Sequence, residues 1–174
     1  MTRVQCDEIW SFTPAKQKAP VHGAGDTWTW TGIEAQSKLI ISWMVDGRDG
    51  AYALAFMDDL RGRPANGVQL TTNGHKAHLC RRGGLWGRHG LSHVGKALRW
   101  APESAKGRYS PAECNGARKE IIGGSPDPRH ASTSYPEYQN LTMRTHMRRS
   151  TRPTNAFSKK WENHVHMVAL YTVW

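Results

Sequence analysis

The strongest constraint on the fold is a change of hydrophobic period along the N-terminal part of the chain. Val4 to Phe12, Thr27 to Ile33 and Leu39 to Val45 read as strands with a hydrophobic core side. The loops between them carry Pro14, Pro20, Gly23 and Gly25, then Gln36 and Ser37, which suits a three-strand meander. From Ala51 to Arg61 the period lengthens, and Ala53, Leu54, Met57 and Leu60 form an apolar stripe at helical spacing. Val68 to Thr72 returns to a strand pattern. The expected class is α/β, a mixed sheet with flanking helices.

Two later stretches add helical signals. Phe157, Trp161, Val165, Val168 and Thr172 make a mostly apolar stripe, while Lys159, Glu162 and His166 share an adjacent polar face at i, i+3 and i+7. Taken alone, that face is the pattern of a solvated helix. Arg144, Arg148 and Arg152 recur every fourth residue, with Arg149 beside them, and predict guanidiniums on one helix face before Pro153 stops it. Such a row neutralises phosphates and makes binding salt-dependent.

Composition narrows the partners. The 174 residues fit one domain and can bury a sizeable core, although the hydrophobic fraction is only 38% and eight tryptophans carry much of it. Trp28, Trp30 and Trp43 alternate with polar residues and read as sheet core rather than as a platform for bases. The formal charge of +10 favours a polyanion such as nucleic acid. Cys6, Cys80 and Cys114 share no CxxC spacing, so neither a disulfide framework nor a zinc ribbon is indicated, and a reducing cytoplasm suits them. No apolar run has the length of a membrane span, and no signal-peptide pattern opens the chain.

Three short blocks carry the chemistry: VQCDEIWSF, VQLTTNGHKAHL and NAFSKKWENHVH. With PDPRHASTS and NLTMRTHMRRSTRPTNAFSKK, they resemble the catalytic domain of bacterial insertion-sequence transposases of the insertion-sequence-one family, over nearly the whole chain. The resemblance implies a ribonuclease H-like fold with Asp7 in the first strand, position 73 at the end of the fourth, and Glu162 on a late helix. These would be the Asp-Asp-Glu ligands of two Mg²⁺ (or Mn²⁺) ions. Two such ions about 3.5–4 Å apart activate a nucleophile and stabilise the leaving oxygen in DNA hydrolysis and strand transfer, and hard ions want oxygen ligands. Strand alternation sends Asp7 and Glu8 to opposite faces, and the family block makes the aspartate catalytic.

This sequence departs from the family at the middle position, which is Asn73. An amide oxygen can touch a metal but lacks the charge that helps hold two dications together. The resemblance further implies DNA as partner, at element ends and target, with Arg144, Arg148, Arg149, Arg152, Lys159 and Lys160 on its phosphates. Homo-oligomerisation and a cytoplasmic, nucleoid-associated location follow by the same analogy. His75 and His166 are expected as accessory groups. HxxH at His75 and His78, and HxH at His164 and His166, lack the tight four-ligand spacing of zinc. Relatives carry a DNA-end-binding region before the first strand, so the chain reads as N-terminally truncated.

Cys80 to Trp100, CRRGGLWGRHGLSHVGKALRW, fits no element, having five glycines, five Arg and Lys, no acid and no periodicity. Relatives have a helix and an apolar strand here. With suitable codons read one base later, the stretch becomes AVEAAFGADMDYPMLVKLYG, which restores that pattern. A frameshift near Leu79 and a compensating one near Trp100 are therefore expected, leaving the fold incomplete. The alternative is a Gly/Arg-rich loop that binds nucleic acid. At the level of function, the main expectation is a transposase fragment impaired in cleavage. Its rivals are a non-catalytic DNA-binding remnant or regulator and a nuclease of the same fold.

Overall fold

The computed structural model describes residues 2–13, 25–73, 91–99, 113–151 and 157–173. The chain is a mixed α/β fold. The meander forms as β1 (Arg3–Thr13), β2 (Gly25–Glu34) and β3 (Ile40–Asp46), all antiparallel, followed by helix α1 (Gly50–Gly62) and strand β4 (Gln69–Thr72). Strands β5 (Leu91–Arg99) and β6 (Glu113–Gly123) come next, then helices α2 (Ser134–His146) and α3 (Trp161–Val173). The six strands lie in the order β3-β2-β1-β4-β5-β6. β4 runs parallel to both β1 and β5, while β6 is antiparallel to β5.

Alternation along β1 assigns its neighbours. Val4 and Cys6 point to the α1 side, where they pack with Trp30, Ala53, Phe56, Met57, Leu60, Val68 and Leu70. Helix α1 begins at Asp49, whose carboxylate accepts the amides of Ala51 and Tyr52 at 3.0 and 3.3 Å and so satisfies two of the helix's free donors. Its buried stripe is Ala53, Phe56, Met57 and Leu60, with Phe56 taking the core position expected of Leu54. The helix can lie this close because β2 carries Gly32: a Cβ there would meet Leu60 Cδ1 at 3.0 Å.

The odd-numbered side chains of β1 face α2 and α3. Ile9 packs with Val45, Met143, Met147 and Val168, all buried. On the same face Gln5 accepts the Tyr135 amide at 3.1 Å and Ser11 meets His164 at 3.0 Å. The sheet is thus covered by α1 on one side and by α2 with α3 on the other.

Three expectations need correction. The pattern of Cys80–Trp100 predicts no strand, yet Leu91–Arg99 forms β5, paired on both sides. Backbone pairing between two neighbours organises a segment whose own pattern does not. Arg144 and Arg148 do not share a helix: α2 ends at Met147, which turns extended, and Arg148–Ser150 is a separate 3-10 turn. Lys159 and Phe157 precede α3 rather than lying on it, so the polar face of that helix starts at Glu162. Residues 80–90, His75 and Arg152 lie outside the described residues.

Candidate functional site around Asp7

The centre of the sheet holds a buried acid. Asp7 is 7% exposed, on the middle strand. Parallel pairing of Cys6 with Thr72 brings the next residues, Asp7 and Asn73, side by side at the end of β4. Asp7 Oδ1 accepts from the Glu8 amide at 2.8 Å and from Asn73 Nδ2. Its other oxygen, Oδ2, accepts from Asn140 Nδ2 of α2 at 2.8 Å. Three N–H donors from three parts of the chain therefore converge on one carboxylate.

Glu8 faces the opposite way, as alternation predicts. It is buried, and its Oε1 accepts from Arg48 Nη2 at 2.7 Å and Nε at 3.1 Å. Arg48 also stacks over Trp28, 4.3 Å from the ring centroid, which fixes the guanidinium in place. Just before the two acids, the Cys6 thiol is fully buried. Burial first, then the charges of Asp7 and Glu8, push its pKa far up, so it stays protonated and is no nucleophile.

Glu162 is exposed in the first turn of α3. That end of the helix is tied to Ser11 through His164. Ser11 lies four residues along β1 from Asp7, about 13 Å at strand rise. The helix that reaches Asp7 is α2. Asn140 was missed by sequence reasoning, and so was Glu137, a half-buried acid one turn earlier on the same side of α2, whose Oε1 accepts from Thr133 Oγ1 at 2.8 Å.

These residues do not fit the two-ion centre that the resemblance implies. Among the described residues, the groups that hydrogen-bond to Asp7 are two neutral amides and a backbone N–H, each offering hydrogen rather than oxygen to the carboxylate. Among the described residues no three His, Cys, Asp or Glu side chains gather into a metal cradle. His166 is exposed on α3. His164 is instead a core residue, 1% exposed, and burial, then the charge of Arg149, lowers its pKa to about 4.

A second feature is the basic corner where α2 gives way to α3. Arg144, Arg148, Lys159 and Lys160 are exposed there. Arg149 Nη1 donates to Ser158 Oγ at 2.9 Å and to the Asn163 carbonyl at 3.5 Å, which pins the corner to α3. A cavity of about 320 Å³ beside it is lined by His146, Met147, Arg148, Arg149, Phe157 and Met167. Among the described residues no helix is long and apolar enough to cross a membrane. Comparison with family models, curated proteins and solved structures finds no match.

Proposed function

We propose that this chain is a ribonuclease H-like domain of the insertion-sequence transposase kind that binds DNA and has lost most or all of its strand-cleaving capacity. The observation that carries this reading is the placement of Asp7 on the central strand beside position 73 at the end of a parallel neighbour, on one face of the sheet. A meander followed by a helix and a parallel strand is the order that the ribonuclease H-like reading expects. The exposed cations of the α2–α3 corner supply a surface for phosphates, in keeping with the formal charge of +10.

The state of Asp7 favours the non-catalytic member of the two readings. In a working site three acids would hold two Mg²⁺ or Mn²⁺ ions; here Asn73 stands in the middle place and Asp7 is already hydrogen-bonded. If the missing charge costs about 3–5 kcal/mol of transition-state stabilisation, the rate falls by roughly two to four powers of ten. The test measures cleavage and binding separately on the same DNA duplex. The expected result is salt-sensitive binding with weak or no Mg²⁺-dependent cleavage. Robust cleavage that Asp7→Ala abolishes would overturn the loss of chemistry, and Glu162→Gln beside Glu137→Gln would then identify the third acid. Absence of DNA binding at low salt would sink the reading as a whole.

A further inference from the structure

We propose that the cavity at the α2–α3 corner is a pocket for one unpaired base of a bound DNA strand, with Met147, Phe157 and Met167 against the base and Arg148 and Arg149 against its phosphates. The proposal rests on the reading of the chain as a DNA-binding protein, and it gives a ligand to a place well away from Asp7. The cavity has a volume of about 320 Å³, at the lower end of the roughly 300–1,000 Å³ that small-molecule sites occupy. A single base with its sugar is of that scale; a duplex is not.

The lining has an apolar side and a cationic side. Met147 is buried, whereas Phe157 and Met167 keep 37% and 36% of their surface exposed. An aromatic ring and a flexible thioether together adapt well to a flat apolar ligand. Phe157 is held in place by Phe12, whose ring meets it edge-on with centroids 6.2 Å apart. Tyr171 meets His146 in the same way at 6.3 Å. Arg149 is fixed by its bonds to Ser158 and to the Asn163 carbonyl, and Arg148 is exposed beside it. Walls set in advance lower the ordering cost of a ligand.

Apolar walls alone would suit any hydrophobic group, and arginines alone any anion. Side by side, they select a group that is apolar on its faces, polar at its edge and attached to phosphate. A nucleotide has that combination. Arg144, Lys159 and Lys160, exposed at the same corner, supply charge for the neighbouring phosphates of the strand. Within a duplex the faces of each base are covered by the bases above and below, so the pocket takes only a base that has left the stack. It needs no particular base, since every base has a π face.

The test measures the affinity of the full chain, at low salt, for two labelled duplexes with the same number of phosphates. One carries a single extra thymidine as a bulge, and the other has an abasic residue in its place. The thymidine duplex should bind about 5- to 150-fold more tightly, the range that stacking of one base supports, and Phe157→Ala should bring the ratio close to one. Equal affinities for the two duplexes would overturn the pocket and leave DNA binding standing, as would a ratio that Phe157→Ala does not change. Absence of binding to either duplex would sink the DNA reading and the pocket with it. Should the variant fail to fold, 5-iodouracil in place of the bulged thymine decides on the unmodified chain: photocrosslinks to Phe157 or Met167 support the pocket, and crosslinks confined to other parts of the chain defeat it.

Discussion

His164 shows how a single residue couples this fold to pH. Ser11 donates its hydroxyl hydrogen to the Thr27 carbonyl at 3.2 Å, so it accepts from His164 Nε2, and the imidazole is the neutral Nε2–H tautomer. Its Nδ1 is buried with no hydrogen-bond partner among the described residues, so a second proton would arrive where nothing accepts it. The folded pKa, lowered by burial to about 4, lies below the usual value near 6.5. Above about pH 6.5 the group is neutral folded and unfolded and costs nothing. As pH falls from there toward 4, the unfolded chain takes up a proton that the folded chain refuses, and stability drops by roughly 3 kcal/mol in total. Urea denaturation at pH 7 and pH 4.5 should show this loss, and His164→Leu should remove much of the difference. An equal pH effect in both proteins would exclude His164 as its source. Legibility at this scale divides by periodicity. The opposite facing of Asp7 and Glu8 could be read from strand alternation. Asn140 could not, because a lone polar residue in a helix names no partner, and its own lies 133 positions earlier.

At the scale of elements, α2 and its end decide how the basic corner presents itself. Arginines at every fourth position predict one long helix, but α2 stops at His146 and the chain turns extended at Met147. The face carrying Arg144 therefore stops short of Arg148, which sits in a separate 3-10 turn. Two classes of arginine result. Arg144 and Arg148 are exposed, whereas Arg149 also fastens Ser158 and Asn163. Changing Arg144 and Arg148 together to Ala should flatten the plot of log affinity for DNA against log salt by roughly 0.9 for each phosphate no longer neutralised. Arg149→Ala should lower the melting midpoint as well. A salt slope unaffected by the double change would count against this corner as the proposed DNA surface. Met143, fully buried, anchors the same helix, and truncation to Ala should cost about 2–5 kcal/mol in chemical denaturation.

For the whole molecule, the meander, α1 and β4 were legible because their apolar residues recur at strand or helix spacing. The order beyond β4 was not, since Cys80–Trp100 has no period and its strand is specified by the neighbours it joins. The sharpest test of β5 is Val94, 7% exposed on a strand paired at both sides. Val94→Asp buries a charge and should cost at least about 2 kcal/mol in urea denaturation if β5 is a packed member of the sheet; a negligible change would mean that the strand contributes little. The strand order has a further consequence, for behaviour in solution. A sheet that does not close has two open margins, and one of them is β6, an 11-residue strand carrying exposed Arg118, Lys119 and Glu120 beside Ile121, which is 56% exposed. Charges at such a margin discourage strand-to-strand association between copies. Together with the overall positive charge they act as a colloidal barrier whose range, about 10 Å at 0.1 M salt, shrinks to about 3 Å at 1 M. If the proposed DNA binding holds, salt that strips the protein from DNA lowers the barrier between protein molecules too, and the chain is then best handled at ionic strengths where it is released from DNA but still repelled by its own kind.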